Sequence, residues 1–270
     1  MLKNISRIIL LGLIVTAFGC SGYEKVLKNN DYDQKYKFAT KLFKEGKYQK
    51  AIKLYEQLIP LYRGTDKVST VTYYAAHAYY KSEDYIMAGY YFNRFVKEFP
   101  RDPKGVECEF LAAHCSYMES PRPELDQTAT KEAIKAFQIF ISHNPNNPKS
   151  NEAQILINEL KDKLIEKDFY NAKLYYQLSD YKAAIISLRN SIHEFPETKY
   201  REDILFLLVE SSYLLAENSV EDKKMERYQN TVDEYYSFIG EFPNSEYAKT
   251  AEKMFESANK ALTKYKTSNL

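Results

Sequence analysis

Val71–Tyr80 (VTYYAAHAYY) and Cys108–Tyr117 (CEFLAAHCSY) share an Ala-Ala-His core 37 residues apart. A second pattern recurs more widely: a small residue, a large apolar one four positions on, then Pro eight further. It runs Ala88, Phe92, Pro100; Ala133, Phe137, Pro145; Ala184, Leu188, Pro196; and Thr231, Tyr235, Pro243. An earlier copy has Ala51 and Tyr55, with Arg63 where Pro would stand. Three of the prolines close the same tripeptide, Glu98-Phe99-Pro100, Glu194-Phe195-Pro196 and Glu241-Phe242-Pro243. A unit of this length cannot bury its apolar face alone, so at least about three must stack to make a core.

The pattern reads as helix–turn–helix. A small residue lets a partner backbone approach, and the large side chain one turn on lies on the same face. Proline then ends the second helix, because its ring cannot continue the hydrogen-bond ladder. Turns are marked by Gly46-Lys47-Tyr48, Glu83-Asp84-Tyr85 and Ser179-Asp180-Tyr181. The Ala-x₃-Phe…Pro pattern resembles the tetratricopeptide (TPR) motif, whose basic length is 34. The small residues here are spaced 37, 45, 51 and 47 apart, so insertions or elongated helices are required. Ser120–Thr128 and Asn218–Met225 read as two insertions; Asn151–Gln177, without a breaker, reads as one long helix; Ser245–Lys264 reads as a terminal cap, which a repeat stack needs at its exposed end. The expectation is an all-α tetratricopeptide-repeat superhelical solenoid of about five units plus a C-terminal capping helix. Units one to three fall in 32–147, units four and five in 148–245, and the capping helix and tail in 246–270.

Composition agrees. Eight glycines in 270 residues are too few for the tight turns of a barrel, a sandwich or a Rossmann enzyme. With 25 Tyr and 15 Phe the chain has far too many aromatics to be disordered. Lys and Arg total 38 against 37 Asp and Glu, so nothing forms the broad basic footprint that nucleic acid or anionic lipid requires.

Lys3 and Arg7 precede an apolar run, Ile8–Phe18, that ends in Gly19-Cys20. Eleven apolar residues fit the core of a secretory signal and fall short of the roughly 20 that span a bilayer. Ala17-Phe18-Gly19-Cys20 resembles the lipobox of bacterial lipoproteins, with Phe18 where a small residue is usual. The resemblance implies cleavage after residue 19, acylation of Cys20 and a linker over 20–31. It implies an outer-membrane anchor too, because only Glu24 follows closely where surface-exported lipoproteins carry an acidic cluster. A multiply acylated cysteine holds a domain stably on a membrane. The other two cysteines, Cys108 and Cys115, are expected to stay unlinked: on one helix their Cα atoms lie roughly 10.5 Å apart, beyond disulfide reach.

Motifs for catalysis are missing. There is no G-x-G-x-x-G, P-loop, H-E-x-x-H or G-x-S-x-G, and neither cofactor nor metal is expected. His77 and His114 are repeat-equivalent and lack a Cys or Asp at ligand spacing; Glu107 and Glu109 do not share a helical face. The chain reads as a non-enzyme. Tyr73, His77 and Tyr80 do share one face, and Phe110, His114 and Tyr117 repeat it one unit later. By resemblance to TPR proteins these six line a peptide-binding groove; the competing reading is that they fill space between units.

Cys20–Asn29, Lys35-Tyr36 with Ala39, Tyr48–Ala51, Ala78–Lys81 leading to Phe92–Phe95, and Tyr175–Tyr181 leading to Phe195-Pro196 together resemble the BamD family. That family supplies the lipoprotein subunit of the outer-membrane β-barrel assembly machinery. The resemblance spans Cys20 to about Lys260. It implies a lipid-anchored scaffold on the periplasmic face of the outer membrane. Its C-terminal repeats would bind a BamA-like barrel subunit, beside other lipoproteins of the machinery, and its N-terminal repeats unfolded outer-membrane proteins; nucleic acid is not an expected partner. Arg189 stands two positions from where the family carries its partner-contacting arginine, which turns it by about 200° around the helix. Two other readings are a SusD-like glycan-binding lipoprotein and a periplasmic TPR protein coordinating envelope synthesis with division. SusD-like proteins are longer and often stack sugars on Trp, which this chain lacks.

Overall fold

The computed structural model describes residues 22–268, which are helical with no strand among them. A short helix α1 (residues 22–28) precedes five pairs. They are α2 (Tyr32–Lys44) with α3 (Tyr48–Leu61), α4 (Lys67–Lys81) with α5 (Tyr85–Glu98), α6 (Gly105–Met118) with α7 (Thr128–His143), α8 (Pro148–Gln177) with α9 (Tyr181–Glu194), and α10 (Arg201–Glu217) with α11 (Glu221–Glu241). The last helix is α12 (Ala248–Ser268). The fold is all-α and built of tetratricopeptide repeats.

Two compact units divide the chain. One comprises the chain up to Pro121 with Thr128–Ile157; the other comprises Arg122–Gln127 with the chain from Asn158 onward.

In three pairs the turn between helices is one motif written with different residues. Gly46, Glu83 and Ser179 all adopt left-handed backbone, with φ of 73°, 63° and 60°. The next amide donates back five residues, Lys47 N to Leu42 O, Asp84 N to Tyr79 O and Asp180 N to Tyr175 O. That bond satisfies a carbonyl which the helix end leaves open. Asp84 and Asp180 then cap the following helix, their Oδ1 accepting from Met87 N and Ala183 N, each at 3.1 Å. At the far end Phe99, Phe195 and Phe242 leave helical geometry just before each proline, as steric conflict with the ring demands.

The repeat residues make the core. Ala51, Ala88, Ala133, Ala184 and Thr231 have no exposed surface, and neither do Tyr55, Phe92, Phe137 and Leu188. The fifth copy departs: Tyr235 is half-buried and Phe238, three residues on, is the fully buried ring. The expected insertion over Asn218–Met225 is mostly helix, because α11 begins at Glu221. Extra period length is thus carried largely by long helices, of 30 residues in α8 and 21 in α11. Helix α1 lies inside the stretch expected as linker. Its Tyr23 is buried, and its Val26 and Leu27 pack against the core of the first unit. Cys20 lies outside the described residues.

Candidate functional site: an aromatic face in the first unit

Helices α4 and α6 are successive first helices of repeats two and three, and the aromatic positions singled out above meet along them. Tyr73 Oη donates to Glu107 Oε2 at 2.9 Å. Glu107 Oε1 lies 3.6 Å from His77 Nε2, too far for a hydrogen bond. Tyr80 Oη and His114 Nδ1 share a hydrogen bond of 3.1 Å. Both hydrogen-bonded pairs are 34 residues apart, although the equivalent positions recur every 37. Each α4 residue therefore reaches α6 about one turn before its own repeat equivalent.

The rings rest on phenylalanines of α5 and α7. Tyr73 and His77 lie 4.3 Å apart between centroids, and His77 meets Phe92 edge-on at 5.1 Å. Tyr73 also reaches Phe95, and Tyr80 reaches Phe92. Phe110 is 3% exposed and packs on Phe137 and Phe140. It belongs to the floor, and the other five residues are half-buried above it. His114 and Tyr117 adjoin at 5.6 Å. Two lysines lie over rings of this face, Lys104 over Tyr73 at 5.0 Å and Lys149 over Phe110 at 4.7 Å, at cation–π distance.

Burial pushes both imidazoles below their ordinary value. For His77 the nearby Glu107 opposes that shift and Lys81 adds to it; for His114 Glu152 opposes and Lys149 adds. Both are neutral near pH 7, so the face presents rings and hydroxyls, not positive imidazolium. Tyr73 is held strongly protonated, first by burial and then by its bond to Glu107.

Glu107 and Glu109 point to opposite neighbours. Glu107 bonds back to α4, whereas Glu109 accepts from Asn144 Nδ2 at 2.8 Å and meets His143 Nδ1 at 2.6 Å. Carboxylates two positions apart thus tie α6 to α4 of the preceding repeat and to the end of its own partner α7; sequence spacing showed only that they diverge. Cys108 and Cys115 are free, buried thiols on α6. Among the described residues no group of three or more His, Cys, Asp or Glu could hold a metal ion, and no helix is long and apolar enough to cross a membrane.

In the second unit Arg189 on α9 is tied to Glu234 on α11, Nε to Oε1 at 3.1 Å. With Lys182, Ile186, Ser212 and Arg227 it lines a cleft. Ile186 is exposed there.

The family model described as outer membrane lipoprotein, YfiO, matches residues 28–227. The outer membrane protein assembly factor BamD of Haemophilus influenzae is 22% identical over 220 residues, covering 78% of this chain and 84% of the relative. BamD of Neisseria meningitidis serogroup B is 23% identical over 262 residues, 92% of this chain and 94% of the relative. A putative BamD of Aquifex aeolicus is 22% identical over 240 residues, 82% and 76% respectively. A solved TPR2AB domain of yeast Sti1 in its pHSP90 complex shares 16% identity over 84% of this chain and 98% of that one, at a TM-score of 0.38. With a match that runs from the end of α1 into α11 across both units, the chain belongs to the YfiO family of outer membrane lipoproteins.

Proposed function

We propose that this protein is an outer-membrane protein assembly factor, anchored by acylated Cys20 to the periplasmic face of the outer membrane and working without catalysis. Its second unit binds a BamA-like barrel subunit in company with other lipoproteins of the machinery. Its first unit holds unfolded barrel proteins along Tyr73, His77, Tyr80, His114 and Tyr117, with Phe110 as the floor. The observation that carries this reading is the family match over 28–227, which takes in both units. The aromatic face adds a physical reason. A segment destined to become a barrel strand alternates apolar and polar side chains, and half-buried rings offer flat apolar contact at low side-chain entropy.

The hydroxyls of Tyr73 and Tyr80 are already committed to Glu107 and His114. Recognition would therefore run through ring faces, with backbone polar groups of the client left to water or strand partners. Fluorescence anisotropy with a labelled C-terminal barrel-strand peptide tests this. Replacing both residues, Tyr73→Ala and Tyr80→Ala, is expected to weaken binding by about 1–3 kcal/mol. Unchanged peptide affinity alongside a large loss of thermal stability would assign these tyrosines to the core alone.

A further inference from the structure

We propose that the first repeat carries a lysine collar that lies on the phosphate-bearing headgroups of the bilayer holding Cys20; this rests on the anchored reading above. Charge is the first observation. Residues 22–67 contain eleven Lys or Arg against six Asp or Glu, while the whole chain is at +1. The near-neutral total conceals a local excess at the end nearest the anchor.

The seating of α1 is the second. Tyr23 is 9% exposed, its hydroxyl donates to Lys50 O at 3.3 Å, and Lys50 Nζ stands 5.4 Å over its ring. Four residues on, Leu27 O accepts from the buried Lys35 Nζ at 3.1 Å, which also donates to Gln57 Oε1 at 2.7 Å. Helix α1 therefore lies along the face of α3 that carries Lys50, Lys53 and Gln57, spaced i, i+3, i+7. Lys25 and Lys28 are exposed on α1 itself, and Lys50 and Lys53 are exposed beside it. None of these four forms an ion pair with a described residue. Glu24 is the one carboxylate within residues 22–28.

Reach completes the argument. Two residues, Ser21 and Gly22, separate Cys20 from Tyr23, so the three Cα–Cα steps span at most about 11 Å. Fixing Tyr23 in the core leaves no long leash on which the domain could swing away from an acylated Cys20. The collar is then held within about one or two Debye lengths of the headgroups, where exposed lysines are attracted to anionic lipid. The acyl chains and the lysines form two signals of the kind that make anchoring stable.

Lysine acylation footprinting of the lipidated full-length mature protein tests the collar. The protein is compared in detergent, in phosphatidylethanolamine vesicles, and in vesicles with one part in four phosphatidylglycerol. On the anionic vesicles Lys25, Lys28, Lys50 and Lys53 are expected to react several-fold more slowly than in detergent, with protection fading in high salt or on neutral vesicles. Lys182 and Lys224, in the second unit, serve as references. A second arm removes the acyl chain through Cys20→Ser and measures vesicle flotation. There Lys25→Gln, Lys28→Gln, Lys50→Gln and Lys53→Gln together are expected to lower partition onto anionic vesicles, by about fivefold per lysine. Equal labelling of all six lysines, with Cys20 acylated and the protein floating, would overturn the collar and leave the anchor standing. A wild-type mature protein that carries no acyl chain on Cys20 would overturn the anchor reading itself.

Discussion

Replacing Ala88 by Leu probes the repeat architecture at one atom's resolution. Ala88 has no exposed surface, and its helix α5 packs on both α4 and α6. The next residue, Gly89, comes so near α6 that a Cβ added there would stand 3.3 Å from Cys115 Cβ. Ala88 is fully enclosed and the helices are already close, so the added carbons of a leucine must displace their neighbours. Overpacking of a filled core costs about 1–3 kcal/mol, and the tightness of this contact favours the upper part, about 2–3 kcal/mol. In a repeat protein the penalty stays with the altered unit and its neighbours. Hydrogen exchange resolved by mass spectrometry should show amides of α4, α5 and α6 exchanging about 30–150-fold faster. Amides of α10, α11 and α12 should keep their rates. Equal acceleration in all helices would refute the nearest-neighbour account. No measurable change would mean that Ala88 is not at a close contact.

Burial pushes the Cys108 and Cys115 thiols up to about 12, so a thiol reagent at pH 8 should modify them only on unfolding, and non-reducing mass spectrometry should find no bridge. For His77 and His114 the folded values are depressed below 6.5, so the unfolded chain takes up protons first as pH falls. Their contribution to stability is complete above about pH 6.5 and is lost below it; denaturant midpoints should drop from pH 7 to pH 5, less so in His77→Phe. Glu83 holds φ of 63°, a conformation that suits glycine and costs other residues about 1 kcal/mol. Glu83→Gly should therefore raise stability by up to about 1 kcal/mol by chemical denaturation, whereas the same change at Ala88 should lower it.

Much of the fold is legible from local rules. The small residue and its partner one turn on mark buried faces, which Ala51, Ala88, Ala133 and Ala184 bear out by having no exposed surface. Turn positions are legible because a left-handed residue followed by Asp suits both a helix stop and a helix start. The fifth repeat is harder to read. Its polar run Glu221–Lys224 resembles loop, yet it forms the first turn of α11, where Glu221 and Asp222 complement the helix dipole. Of the aromatic face, sequence places the six residues on two matching stripes. It does not reveal that Phe110 sinks to the floor, because that depends on Phe137 and Phe140 from another helix. Nor does it show the Tyr73–Glu107 and Tyr80–His114 bonds, whose 34-residue offset follows from how neighbouring helices are staggered. The docking of Tyr23 is invisible for the same reason: its partner Lys50 offers a backbone carbonyl, which no side-chain pattern announces.

The assembly role stands or falls on what travels with the protein. Affinity purification of the acylated chain from outer membranes in a mild detergent, read by quantitative mass spectrometry, measures this directly. The account predicts a barrel subunit of the BamA type at near-equal abundance, retained when Tyr73 and Tyr80 are replaced by Ala. Recovery of the protein alone, or with a glycan-importing barrel in place of the BamA-like one, would contradict it.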